Sequence, residues 1–317
     1  SDVYKRQTYH TMETCVTFTW MQLCNRLLQM TGNSLYADYM ETAIYNALMA
    51  SLKADASQIA KYSPLEGWRH EGEEQCGMHI NCCNANGPRA FAMIPQFAYQ
   101  VQDDCVRVNF YAPSEAELVL PGKKPVRLKQ TTDYPRTDQI EIEVDPAKET
   151  AFTIALRIPA WSKIAVVSVN GQPQDGVLQG AYLPVNRKWK KGDRITVKLD
   201  LRARLVERNQ AQAIVRGPVV LARDSRFGDG FVDEASVVVS KDGYVELTPV
   251  KTPGFAWLAF TAPMVLGTDL ESNRAPKQIH FCDFASAGNT WDKTQRYRVW
   301  LPKTLNVMHS PYRPYNQ

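Results

Sequence analysis

Hydrophobic positions in the first hundred residues recur at helical spacing. Met21, Leu23, Leu27, Leu28 and Met30 fall at intervals that suit one helix, which stops at Thr31-Gly32-Asn33. Ser34 can cap a second helix over 35–49, and Pro88 is placed to open a third from Arg89 to about residue 100. Proline at a first helical position gives up no donor that the helix needs. Between the second and third helices runs an irregular stretch, 54–87, of a length that is usually functional or disordered. Its aromatic and cysteine content predicts function. From Cys105 the period changes to two. Segments 106–111, 139–144 and 194–199 alternate, with turn signals at Pro121-Gly122, Asn170-Gly171 and Lys191-Gly192-Asp193. Asn170-Gly171 between alternating flanks is a strong hairpin signal. Many short antiparallel strands with regular turns predict a β-sandwich. The break at Gly217-Pro218 predicts either a second sandwich or a continuation of the first. The expected class is mixed, with separate α and β domains.

Composition narrows the partners. At 317 residues the chain has room for two or three domains, and 44% hydrophobic residues exclude wholesale disorder. The net charge of +4 comes from 37 basic and 33 acidic residues that are well mixed. The longest basic run, Arg187-Lys188-Trp189-Lys190-Lys191, leads into a Gly192-Asp193 turn and reads as a solvated loop. Nucleic acid is therefore not an expected partner. No apolar run approaches the roughly 20 residues that a membrane span needs. Residues 2–7, Asp-Val-Tyr-Lys-Arg-Gln, resemble the translation of an adapter sequence used in DNA library preparation, so 1–7 is expected to be non-native.

Candidate chemistry centres on the adjacent cysteines Cys82 and Cys83, with Glu13-Thr14-Cys15 upstream. A Glu/Cys/Cys/Cys set has the softness and charge that zinc accepts. With 67 residues between Cys15 and Cys82, the set joins distant parts of a fold and cannot be a stapled finger. The residues alone favour a closed structural zinc. The remaining cysteines fit less chemistry. Cys24, Cys105 and Cys282 read as core, Cys76 is undecided, and an odd total of seven argues against a complete disulfide framework.

The same residues carry a family resemblance. Glu13-Thr14-Cys15 ahead of a helix, then Cys82-Cys83-Asn84 ahead of Arg89, is similar to glycoside hydrolase family 127, the zinc-containing β-L-arabinofuranosidase family. Leu156-Arg157-Ile158-Pro159-Ala160-Trp161, Val169-Asn170-Gly171, Arg187 to Asp193, and Val215-Arg216-Gly217-Pro218 resemble that family's β-domain segments in the same order. The resemblance implies an (α/α)6 catalytic barrel followed by β-sandwiches. Only the end of such a barrel fits into 8–102, leaving 103–210 for one sandwich and 211–317 for a second or a continuation. The chain is thus expected to be a C-terminal fragment, with the general acid/base upstream of it and with little activity alone.

The resemblance also implies roles. Cys82 would be the nucleophile of a retaining glycosidase, and Glu13, Cys15, Cys82 and Cys83 the zinc ligands. Glu41, four residues before Tyr45, would contact sugar hydroxyls, with a helix-surface or buried ion-pair carboxylate as the equal alternative. Tyr62 would reach the active site, with Lys61 competing for that register, while His79 is near enough to Cys82 to support the ligands but reads more readily as a satisfied core or loop histidine. Where the family usually has Pro-Pro-Asn after the cysteines, this chain has Asn84-Ala85-Asn86-Gly87-Pro88. That variant resembles a subgroup acting on acidic sugars of pectin such as aceric acid, for which Lys61, Arg69 or Arg89 would supply a cation. The expected partner is a plant cell-wall carbohydrate. The competing expectation is a non-catalytic carbohydrate-binding sandwich with a structural zinc.

Overall fold

A computed structural model describes residues 12–72, 74, 77, 79–230, 235–266 and 275–303. The expected non-native segment 1–7 and Cys76 lie outside the described residues. Three helices precede a series of strands: α1 (Thr14–Thr31), α2 (Leu35–Ala43) and α3 (Cys82–Ala98). Gly32, at φ 67°, ends α1 in the left-handed conformation that suits glycine. The cap of α2 differs from expectation. The Asn33 side chain accepts from the Leu35 N–H at 3.0 Å, while the Ser34 hydroxyl donates instead to the Gly180 carbonyl at 2.6 Å. The helical path continues beyond α2 as a π-turn, Ile44–Leu48.

The third helix starts at Cys82, well before the Arg89 that the proline suggested. Asn81 is the reason. Its side chain accepts from the Cys83 N–H at 3.0 Å, and its own N–H donates to the Asn84 side chain at 2.9 Å. This reciprocal capping box satisfies first-turn donors and leaves Pro88 inside the helix.

The chain divides into two compact units, one of Ser1–Phe18, Ile44–Pro88 and Arg202–Gln317, the other of Thr19–Ala43 and Arg89–Leu201. The second unit holds two sheets. One runs, in spatial order, Ser114–Leu120, Lys124–Thr132, Gln139–Pro146, Asp193–Leu199, Ala165–Val169, Gln172–Pro173. The other runs Ala181–Trp189, Thr150–Ile158, Cys105–Val108, Tyr99–Gln102. Alternation is clean. Ile140, Ile142, Val144, Ile195 and Val197 are fully buried, while Arg194 and Glu141 pair in solvent at 2.9 Å. The Asn170-Gly171 hairpin forms, with both residues at positive φ (50° and 78°).

The first unit is built on an 11-stranded sheet whose main path is Ser236–Val238, Ala259–Leu266, Lys277–Asp283, Val219–Asp224, Ala211–Arg216, Ala203–Arg208, Tyr244–Val245. The C-terminal strands, joined by Glu66–Gly67, thus form one sheet, and the division falls at Leu201/Arg202 where the sequence suggested 210/211. Asn46 in the π-turn completes the break at Pro218: its amide donates to the Pro218 carbonyl at 2.8 Å and accepts from the Val220 N–H at 2.9 Å.

The stretch after residue 54 is a strap lying on this sheet. Glu66–Gly67 pairs with Tyr297–Arg298, the Val299 N–H donates to the Leu65 carbonyl at 2.8 Å, and Tyr297 donates to the Pro64 carbonyl at 2.6 Å. Arg69 is the strap's anchor. Its guanidinium, fully buried, lies 4.8 Å from the ring centres of both Phe284 and Tyr297 and donates to the carbonyls of Phe284 and Ala285. That placement corrects its expected part in binding an acidic sugar, because every face of the cation is already engaged. Among the described residues, no helix is long and apolar enough to cross a membrane.

Candidate metal centre

Glu13, Cys15, Cys82 and Cys83 converge, with one donor atom from each lying within 4.8 Å of the others. All four belong to the first unit. Cys15 stands in the first turn of α1, and Cys82 and Cys83 are the first two residues of α3. The Cys15 sulfur is 2.9 Å from that of Cys82 and 3.2 Å from that of Cys83, while Cys82 and Cys83 are 4.0 Å apart. The Cys82 sulfur lies 3.9 Å from Glu13 Oε1. These are free thiols rather than a disulfide, whose sulfurs would stand about 2.05 Å apart.

Three local devices hold the cluster. The Asn81–Asn84 capping box fixes the start of α3, so both adjacent cysteines sit at the positive end of the helix dipole. The strap supplies a wall: Tyr62 forms an isolated backbone bridge with Glu13, the Thr14 N–H donates to the Lys61 carbonyl at 2.9 Å, and Cys83 donates to that same carbonyl at 3.8 Å. Gly87 permits the close approach. A Cβ there would stand 2.7 Å from Ile59 Cγ2, nearer than packed carbons come. Asn86, one turn along α3 from Cys82, donates its side-chain amide to the Cys15 sulfur at 3.3 Å.

The donor set fits a soft divalent cation. A tetrahedral zinc with Zn–S near 2.3 Å separates its sulfurs by about 3.8 Å. The Cys82–Cys83 pair matches this spacing, and Cys15 stands within about an ångström of it. Without a cation the thiols oppose one another's ionisation. The Cys82 thiol is pushed up first by its hydrogen bond with Cys15 and then by burial, and the Cys83 thiol first by burial and then by Cys15. A bound divalent ion inverts that preference.

Other expected site residues are distributed differently. Tyr62 lies beside the cluster, with the Lys61 ammonium 5.5 Å from its ring centre. His79 is exposed and pairs with Glu74 at 3.0 Å. Arg89 is exposed and belongs to the second unit. Glu41 is also in that unit, 2% exposed, and both of its oxygens are engaged. Oε1 accepts from Arg157 at 2.7 Å and Tyr134 at 2.8 Å, and Oε2 accepts from Trp161 at 3.3 Å. The same guanidinium pairs with Asp38. This is the buried ion-pair carboxylate, the alternative that the sequence left open. Asn81, Asn84 and Asn86 were not marked by sequence reasoning as site residues. Asn-x-x-Asn straddling the cysteine pair was the available signal for the cap.

Two family models match the chain. The β-L-arabinofuranosidase family-127 catalytic domain matches residues 2–96 and the family-127 middle domain matches residues 105–201. A non-reducing end β-L-arabinofuranosidase of Bifidobacterium longum subsp. longum is 26% identical over 235 residues, which is 66% of this chain and 34% of the relative. The chain thus spans about a third of that relative's length. A family-127 β-L-arabinofuranosidase structure from Geobacillus stearothermophilus T6 superposes with a TM-score of 0.75 at 22% identity, covering 92% of this chain and 49% of that one. A structure described as a glycoside hydrolase gives a TM-score of 0.78 at 25% identity, covering 92% and 52%.

Proposed function

The chain belongs to glycoside hydrolase family 127, and from that membership we propose that it is part of a retaining glycosidase in which Glu13, Cys15, Cys82 and Cys83 hold zinc and Cys82 is the nucleophile. The convergence of the four donor atoms supports this reading more than any other observation. Zinc, when bound, supplies the positive charge that keeps the grouped thiols deprotonated. Ordinary retaining glycosidases use one carboxylate as nucleophile and a second carboxyl group as acid/base. Here the Cys82 thiolate takes the first role. It attacks the anomeric carbon, forming an S–C bond as the C–O bond to the leaving group breaks, and water later cleaves the S–C bond with overall retention.

Exposure separates the sulfurs. Cys83 is fully buried and suits anchoring, whereas Cys82 is partly open to an incoming sugar. Glu13, the carboxylate of the cluster, is committed as a ligand, so the leaving oxygen must take its proton from a group outside these four residues. The 317-residue chain alone is therefore expected to give little or no turnover. The helical region is read as the C-terminal part of an (α/α)6 barrel. In the second unit, Trp20, Leu23 and Met30 of α1 are 42%, 48% and 81% exposed, with Leu35 and Tyr39 of α2 beside them in sequence. An apolar face of that kind suits further helices packing on it.

The proposed substrate class is L-arabinofuranosides or related acidic L-sugars of plant polysaccharides. Lys61, on the segment that bridges to Glu13, is the cation suited to an acidic sugar, since Arg69 is buried elsewhere. The competing reading is a closed structural zinc in a carbohydrate-binding module, favoured by the four protein donors. A haloacetamide carrying an arabinofuranosyl group separates the two. With the zinc-loaded chain, labelling confined to Cys82 is expected. Labelling spread evenly over Cys15, Cys82 and Cys105, or none at all, would sink the nucleophile assignment.

A further inference from the structure

Burial alone does not explain why Cys82 rather than Cys15 should react, because both sulfurs are partly exposed while Cys83 is not. Their polar surroundings differ. The Cys82 sulfur faces a carboxylate oxygen, Glu13 Oε1, at 3.9 Å, and the Cys15 sulfur receives the Asn86 amide N–H at 3.3 Å. Asn86 and Cys82 lie four residues apart and so share a face of α3, directed at the first turn of α1 where Cys15 stands. Cys15 is also the sulfur with the closest contacts to both others, 2.9 and 3.2 Å. An N–H donor draws electron density from a thiolate and fixes its direction, while a neighbouring carboxylate does the reverse.

We infer that Asn86 is a positioning residue of the cluster: its side-chain amide anchors the Cys15 sulfur as a permanent metal ligand and so leaves Cys82 as the sulfur that reacts. This rests on the zinc-thiolate reading above.

Cobalt(II) titration of the 317-residue chain tests the inference, read by sulfur-to-cobalt charge-transfer absorption, with iodoacetamide mapping of the metal-loaded chain alongside. Asn86→Ala removes the donor, and Asn86→Asp keeps the shape while placing an acceptor against the sulfur. Both variants should bind cobalt about 10- to 100-fold more weakly, with the larger loss for Asn86→Asp, and the ratio of Cys15 to Cys82 labelling should rise severalfold. Variants that bind cobalt as tightly as the parent with an unchanged labelling ratio would overturn the inference. So would variants whose metal-free unfolding midpoint falls in step with their cobalt affinity, because Asn86 would then serve the fold and not the sulfur. A parent chain that shows no thiolate–cobalt absorption would instead defeat the underlying metal reading, and the inference with it.

Discussion

Replacing Arg157 by methionine should destabilise the second unit severely. The guanidinium is wholly buried and pairs with Asp38, whose side chain is 9% exposed, and with Glu41, which is 2% exposed. It also donates to the Asn109 carbonyl at 2.5 Å. Methionine fills most of the volume but strands two buried carboxylates. Breaking one buried ion pair costs about 3–5 kcal/mol, chiefly because the remaining charge has lost its partner. The two pairs share one cation, so their losses are not additive and the expected total is about 4 kcal/mol. With a urea slope of about 2 kcal/mol per molar, the midpoint should fall by about 2 M. Trp161 and Trp189 lie in this unit and report its unfolding by fluorescence. A fall of less than about 0.5 M would refute the reasoning, since that is the worth of an exposed pair. The companion variant Glu41→Gln should likewise lose stability. An undisturbed midpoint with weakened sugar binding in a complete enzyme would instead restore Glu41 as a substrate ligand.

Three further outcomes are expected. Gly87→Ala drives a methyl group to 2.7 Å from Ile59 Cγ2 and should cost about 1–3 kcal/mol in the same urea titration; an unchanged midpoint would mean that helix and strap separate freely. Asn81→Ala removes the cap of α3, costing about 1 kcal/mol and weakening zinc binding measured by competition with a chelator. In the metal-free chain both Cys82 and Cys83 are held above the ordinary thiol value of 9.0, so the folded chain keeps protons that the unfolded chain releases. Metal-free stability should therefore fall as pH rises above about 9, and zinc, which must displace those protons, should bind more tightly at about pH 8 than at about pH 6.

The strands were legible because alternation and turn chemistry are local. Ile140, Ile142 and Val144 face inward as their spacing implies, and Asn170-Gly171 turns where its backbone freedom allows. The Glu13/Cys15/Cys82/Cys83 set was legible because its donor chemistry is unusual for zinc-finger spacing yet complete. The start of α3 was misread because Pro88 is a strong local signal, while the cap at Asn81 depends on reciprocal side-chain bonds that a propensity argument does not weigh. Arg69 and Glu41 were hidden for another reason. Their partners lie far along the chain, with separations of 228 residues to Tyr297 and 116 to Arg157, so nothing nearby in sequence distinguishes a buried cation or carboxylate from one that meets a ligand.

The strap between α2 and α3 ties the surroundings of the four donors to the C-terminal sheet. Residues 60–62 complete the surroundings of the four donors, and they are held in place through Leu65, Glu66 and Arg69 by the region around 284–299. Metal affinity at this cluster is therefore expected to fall when the strap's pairing with the C-terminal sheet is broken. A chain without that sheet would carry all four donors and still lack the wall behind them.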